Sequence, residues 1–293
     1  MNGVSDKVLS YFYRESYYSL IKQAQLMKLI NVFFIGLLLL LLFQSCGVKL
    51  NSFIPKIYQK AGNISLPYNI YYPQAYKKDS KIPLFIFLHG AGERGVDNKL
   101  QLTHIAPFMS EKVVTEQYPA VMLWPQCAEN DYWAPVKRFE WVPVNGGTVT
   151  ASMEALIDLI EDIIKDDHID NNRIYLAGLS MGGFGTFDLL SRKPDIFAAA
   201  VPICGGADLS KTEIYKHVPL WIFHGAKDPV VPVRLSDEVV EKLKASGAHQ
   251  VRYTVYPEGG HDIWNDAFNE AELLPWLFSQ RKSVNDTPNQ KHK

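Results

Sequence analysis

Gly178-Leu179-Ser180-Met181-Gly182-Gly183 places a serine between glycines two residues before it and two after. The run Arg173 to Gly178 reads as a strand, and Gly182 to Arg192 as a helix. G-x-S-x-G has mechanical meaning in that context. A strand that turns at once into a helix holds the serine in a strained backbone, and the glycines leave room for neighbouring chain. The hydroxyl then stands above the strand ends, beside a helix N-terminus whose amides favour negative charge. Such a serine is a nucleophile only when a base removes its proton.

Of the eight histidines, His261 is the candidate base, because Glu258-Gly259-Gly260-His261-Asp262 follows the last strand, Val251 to Tyr256. His89 and His224 each end a strand in a His-Gly pair and read as packed or structurally hydrogen-bonded rings. His104, His168, His217, His249 and His292 read as surface residues. Asp228 lies directly after the strand Leu220 to Phe223, where its carboxylate would fix the imidazole tautomer and stabilise the imidazolium. Asp208 and Asp195, near the preceding strand Ala198 to Ile203, are the alternatives. A tetrahedral oxyanion needs amide donors. Met181 can give one, and Ala91 or Gly92, in the loop His89 to Gly95, the other. Trp133, Trp141, Trp264 and Glu93 are candidate substrate contacts. Glu93 and Arg94 either line the acyl pocket or pair on the surface, and the aromatic loop Trp124 to Trp141 either stacks on substrate or packs on the core.

These residues must be carried by a regular frame. Leu66 to Pro73 reads as an edge strand bounded by prolines. Leu84 to Leu88 and Ala120 to Trp124 are apolar runs of the kind buried on both faces of a parallel sheet. Ser152 to Lys165 and Val233 to Ala245 read as helices, with a last helix near Ala271 to Phe278. Strand and helix in alternation imply crossover connections, hence an α/β fold with a mostly parallel sheet and helices on both faces. The catalytic domain is expected at 50–281, without a large lid, followed by a polar tail at 282–293. Pro125 to Thr148 breaks the rhythm as a long aromatic loop.

The order HGAGERG, GLSMGGFG, HGAKDPVVP, GGHDIW resembles the α/β-hydrolase superfamily over roughly residues 60 to 280. Within it the chain is most similar to the esterase and predicted-peptidase branch of dienelactone hydrolases, polyhydroxybutyrate depolymerases and feruloyl or acetyl-xylan esterases. The Trp124-Pro125-Gln126-Cys127 stretch and GERG fit that branch. The resemblance implies the fold, Ser-His-Asp roles and carboxylic-ester cleavage through an acyl-enzyme, with acetyl or feruloyl esters of plant polysaccharides as substrate candidates. A peptidase or lysophospholipase on the same triad stays open. The complete triad opposes a third reading, a non-catalytic carbohydrate-binding surface protein.

The bulk composition is consistent with this reading. The 293 residues, 47% hydrophobic, suffice for one large domain with a buried core. A formal net charge of −1 gives no general attraction for nucleic acid. No HExxH, paired CxxC or phosphate-binding glycine loop is present, so no metal or cofactor is indicated. The N-terminus stands apart: Val32 to Phe43 is an apolar run of 12 residues, followed by Gln44-Ser45-Cys46-Gly47. That run is short for a membrane span, for which about 20 residues are needed, and suits a signal-peptide core. Small residue, cysteine, glycine behind such a core resembles a bacterial lipoprotein signal. It implies a leader over 1–46, lipidation of Cys46 and an exported protein held to the cell envelope by that anchor. Met27-Lys28 would make a conventional start, which would leave 1–26 as a mis-assigned extension. Cys127 and Cys204 would remain in the mature domain, expected as free thiols because their strands flank two others.

Overall fold

Three apolar runs set the centre of the sheet, because each is buried from end to end: β3 (Ile82–Leu88), β4 (Val121–Pro125) and β8 (Ala199–Ile203). Strands buried on both faces cannot show a polar–apolar alternation, so they read as continuous apolar sequence. The computed structural model describes residues 53–60, 64–76, 81–137 and 140–282. The expected leader with Cys46, Phe139 and the tail beyond Lys282 lie outside the described residues.

Eight strands form one sheet in the order β1-β2-β4-β3-β7-β8-β9-β10. Here β1 is Phe53–Lys60, β2 Ile64–Tyr71, β7 Ile169–Leu179, β9 Leu220–Gly225 and β10 Val251–Tyr256. The pairs β1/β2 and β2/β4 are antiparallel; from β4 to β10 every pairing is parallel. A short separate ladder, β5 (Val136–Lys137) with β6 (Val142–Pro143), folds inside the aromatic loop. With helices on both faces, this is the α/β-hydrolase fold.

Alternate residues of β3 feed two cores. Leu84, Ile86 and Leu88 join Met153, Leu156 and Ile160 of α3 (Ala151–Ile163) and Phe187 and Leu190 of α4 (Met181–Arg192). Phe85 and Phe87 face the other way, toward Trp124 and toward Phe268 of α6 (Trp264–Asn269) and Leu277 of α7 (Leu273–Ser279). Between β3 and β4 lie two short helices, α1 (Ala106–Met109) and α2 (Lys112–Gln117), and between β9 and β10 lies α5 (Arg234–Ala245). Both faces of the central strands are therefore dry.

Two expectations are corrected. The strand read from Leu66 to Pro73 is not the edge; β1 is, and it went unseen because its sequence, FIPKIYQK, buries only Phe53 fully. Strand β7 begins at Ile169, four residues before the expected Arg173, across an irregularity in its pairing with β3.

The sheet order places β4 and β8 on opposite sides of β3 and β7, as the sequence reading required. Cys127 and Cys204 are both free and buried, and burial pushes the Cys127 thiol up to about 12. Alkylation of the unfolded, unreduced protein is therefore expected to modify both thiols, and reductant to leave the melting temperature unchanged. A mass shift showing neither alkylated would contradict this arrangement.

Candidate active site

The parallel strands end together, and the four singled-out segments follow β3, β7, β9 and β10. Ser180 sits where β7 becomes α4 with nothing between, at φ 53° and ψ −117°. A non-glycine residue there costs roughly 1–3 kcal/mol and persists only when its surroundings hold it. They do: Ser180 N donates to Ile203 O at 2.9 Å, and Gly183 N and Phe184 N donate to Ser180 O. A Cβ on Gly182 would stand 1.9 Å from Leu88 O, and one on Gly178 would stand 2.3 Å from Gly182 O. The turn closes only because both neighbours are glycine.

His261 Nε2 lies 2.8 Å from Ser180 Oγ, and its Nδ1 2.7 Å from Asp228 Oδ2. The Asp228 side chain has no exposed surface. Its other oxygen accepts Val230 N and Val231 N, both at 2.8 Å. A further ring reaches the carboxylate, His224 Nε2 at 3.3 Å from Oδ2. Burial alone would raise the Asp228 carboxyl, but donors from His224, His261, Val231 and Val230 hold it far below the usual carboxylate range. The loops that carry Asp228 and His261 touch backbone to backbone. A Cβ on Gly225 would meet Gly260 O at 2.0 Å, and Lys227 N donates to Gly259 O at 2.9 Å. Lys227 and Glu258 pair across the same seam.

The alternative acids are elsewhere. Asp208 caps a 3₁₀ turn, accepting Ser210 N and Oγ and, from the aromatic loop, Gly146 N at 2.8 Å. Asp195 is mostly exposed.

The loop after β3 passes against Ser180 at Gly90, where an added Cβ would lie 3.6 Å from Ser180 Cβ. Ala91 and Gly92 follow in a 3₁₀ turn, with Arg94 Nε donating to Ala91 O at 2.9 Å. Met181 opens α4, so its amide is an unpaired first-turn donor of that helix. A polar web fixes the loop to the sheet. Gln126 accepts Asn98 N at 2.7 Å and donates to Glu93 O and Asp97 Oδ1. Asn98, at φ 54°, donates to Lys56 O of β1 and Tyr68 O of β2, and Asn69 of β2 donates back to it. His89 Nε2 accepts Cys127 N at 2.9 Å while Nδ1 contacts Gly90 O at 2.6 Å.

The substrate-contact candidates divide. Trp133 is corrected: it is fully buried, donates Nε1 to His89 O at 3.2 Å and fills the space beside Gly185. It pins the loop from below and offers no face to a ligand. Trp141 is half-buried and stacked on Phe184, centroids 5.9 Å apart. Trp264 stands edge-on to His261 at 5.8 Å and against His104 at 5.2 Å. Glu93 pairs with His104 at 3.4 Å; burial raises its carboxyl, but His104 draws it below the ordinary value. His104, read as a surface residue, is thus part of this wall, a position its sequence surroundings did not signal. Among the described residues, Cys204, His224 and Asp228 bring possible metal-ligand atoms within 4.8 Å of one another, each already engaged in the hydrogen bonds of this site.

A family model described as phospholipase/carboxylesterase matches residues 75–273. Acyl-protein thioesterase 1 of Neurospora crassa is 32% identical over 143 residues, 46% of this chain and 56% of that protein. The bifunctional acetylxylan esterase/xylanase of Neocallimastix patriciarum is 30% identical over 82 residues, 28% of this chain and 12% of that protein. The chain therefore spans about half or less of these relatives. Among solved structures, that of a thermostable esterase superposes with a TM-score of 0.72 at 36% identity, covering 79% of this chain and 64% of that one.

One titration follows from the loop. Burial lowers the His89 imidazole to about 4, so it is neutral in the fold. Between about pH 6.5 and pH 4 the unfolded chain binds a proton at His89 that the native chain does not, and stability falls as pH falls. The loss reaches about 3 kcal/mol by pH 4. Denaturant unfolding at pH 7 and pH 4.5 is expected to show that fall, and His89→Gln to reduce it. An unchanged slope in the variant would refute the assignment.

Proposed function

Because the chain belongs to the phospholipase/carboxylesterase family of α/β hydrolases, we propose that it is a serine ester hydrolase working through an acyl-enzyme. The observation that carries this is the unbroken hydrogen-bond chain Ser180 Oγ, His261, Asp228 at 2.8 and 2.7 Å. His261 Nε2 takes the hydroxyl proton as Oγ attacks the ester carbonyl carbon. Asp228 keeps the Nδ1 proton in place and offsets the imidazolium charge. The oxyanion meets the Met181 amide and one amide of the Ala91–Gly92 turn, aided by the N-terminus of α4. The intermediate collapses by breaking the ester C–O bond, and His261 protonates the departing alcohol. Water then repeats the cycle with the acyl group and releases the acid and Ser180.

The proposed substrates are acetyl or feruloyl esters of plant polysaccharides. Support comes from the similarity to an acetylxylan esterase and from the Trp264 ring beside the base, where a sugar or phenolic ring can stack. The proposed setting is the cell envelope, with the mature chain anchored by lipid on Cys46 behind the apolar run Val32 to Phe43.

Ser180→Ala and His261→Ala are each expected to lower kcat on p-nitrophenyl acetate by about 10⁴-fold or more with melting unchanged, since the pair acts as a unit. Asp228→Asn is expected to be severe, and Asp208→Asn nearly silent; the reverse order would move the acid. Loss of rate toward low pH should accompany protonation of the base. A panel of acetylated xylan, methyl ferulate, lysophospholipid and dipeptide amides decides the substrate class, and preference for either of the last two rejects the polysaccharide-ester reading. Palmitate labelling of the expressed chain is expected to disappear in Cys46→Ser; labelling that survives would place the lipid elsewhere or dismiss it.

A further inference from the structure

His224 is the fifth of the six residues of β9 and is wholly buried, four residues before Asp228. Its two nitrogens have separate tasks. Nδ1 lies 2.7 Å from Ser236 Oγ of α5, whose oxygen also lies 3.0 Å from Gly205 O. Nε2 lies 2.9 Å from Val231 O and 3.3 Å from Asp228 Oδ2. Both neighbours of Nε2 are acceptors, a carbonyl and a carboxylate, so Nε2 carries a hydrogen and shares it between them. Oδ2 therefore receives from two imidazoles, His261 at 2.7 Å and His224 at 3.3 Å.

A structural ring of this size at the end of a buried strand needs only apolar packing. Here a polar ring is buried at the cost of its hydration, and it is compensated by Val231 O and Ser236 Oγ together with the carboxylate of the relay. The surrounding titratable groups leave the role to it. The Cys204 thiol, at the end of β8, is pushed up by burial and by Asp228, and stays neutral. Lys227 turns outward to Glu258, and Asp262, beyond β10, is exposed.

We infer that His224 is a positioning residue of the proposed triad: its Nε2–H fixes Asp228 Oδ2 and takes up part of the carboxylate charge that His261 would otherwise feel. The inference rests on the ester-hydrolase reading above. Without this donor, Asp228 would act more strongly on the base, and His261 would hold its proton to higher pH.

The test compares His224→Asn with His224→Gln. The glutamine amide reaches the place of Nε2 and keeps a donor for Asp228, whereas the asparagine amide reaches only the place of Nδ1. Rates on p-nitrophenyl acetate are expressed per active site counted with a fluorophosphonate, so misfolded protein does not enter. His224→Asn is expected to lower kcat/KM at pH 7 about tenfold and to move the acid limb of the pH profile upward by about half a unit or more. His224→Gln is expected to stay near the parent on both. If the two variants share one limb, or if the limb of His224→Asn does not move upward, the ring is structural and the inference fails. If the parent protein shows no Ser180-dependent turnover, the reading beneath it fails instead.

Discussion

The contact between Gly182 and the Leu88 carbonyl, too close for any side chain, governs how the two middle strands of the sheet present their ends. It lets α4 begin directly over β3, which puts the serine turn and the loop after β3 within reach of each other. The strain at Ser180 is held by that geometry and by the amide bond to Ile203 at the end of β8. Strands on both sides of β7 therefore hold one residue in a conformation that it would leave if released.

Charge is placed by the same economy. The Asp228 carboxylate has no exposed side-chain surface and is kept ionic by two backbone amides of its own turn and two imidazole rings. A buried charge without such company would be neutralised or expelled. The backbone contact between Gly225 and Gly260 fixes Asp228 and His261 relative to each other, so their spacing does not depend on flexible side chains alone.

Much of this was legible because the constraints are local. Glycines at fixed offsets around Ser180 and continuous apolar runs at β3, β4 and β8 each announce a backbone requirement that sequence states directly. What was not legible depended on which way a side chain faces. Trp133 and Trp264 look alike in sequence, yet one lies under the loop with its N–H on His89 O and the other stands at the rim beside His261. Asp208 and Asp228 both follow strands, and only the path of the chain assigns the first to Gly146 and Ser210. Edge strand β1 escaped because a strand open to solvent has no apolar run to show.

The web around Asn98 has a mechanical consequence. It ties the turn beside Ser180 to Lys56 and Tyr68, on the two antiparallel strands at the margin of the sheet, through side-chain bonds and not through the parallel core. Margins fray before centres do. Heat or a protease acting on the β1–β2 ribbon is thus expected to slacken the turn before β3, β7 and β8 open, so that the geometry around Ser180 is governed from the margin of the sheet.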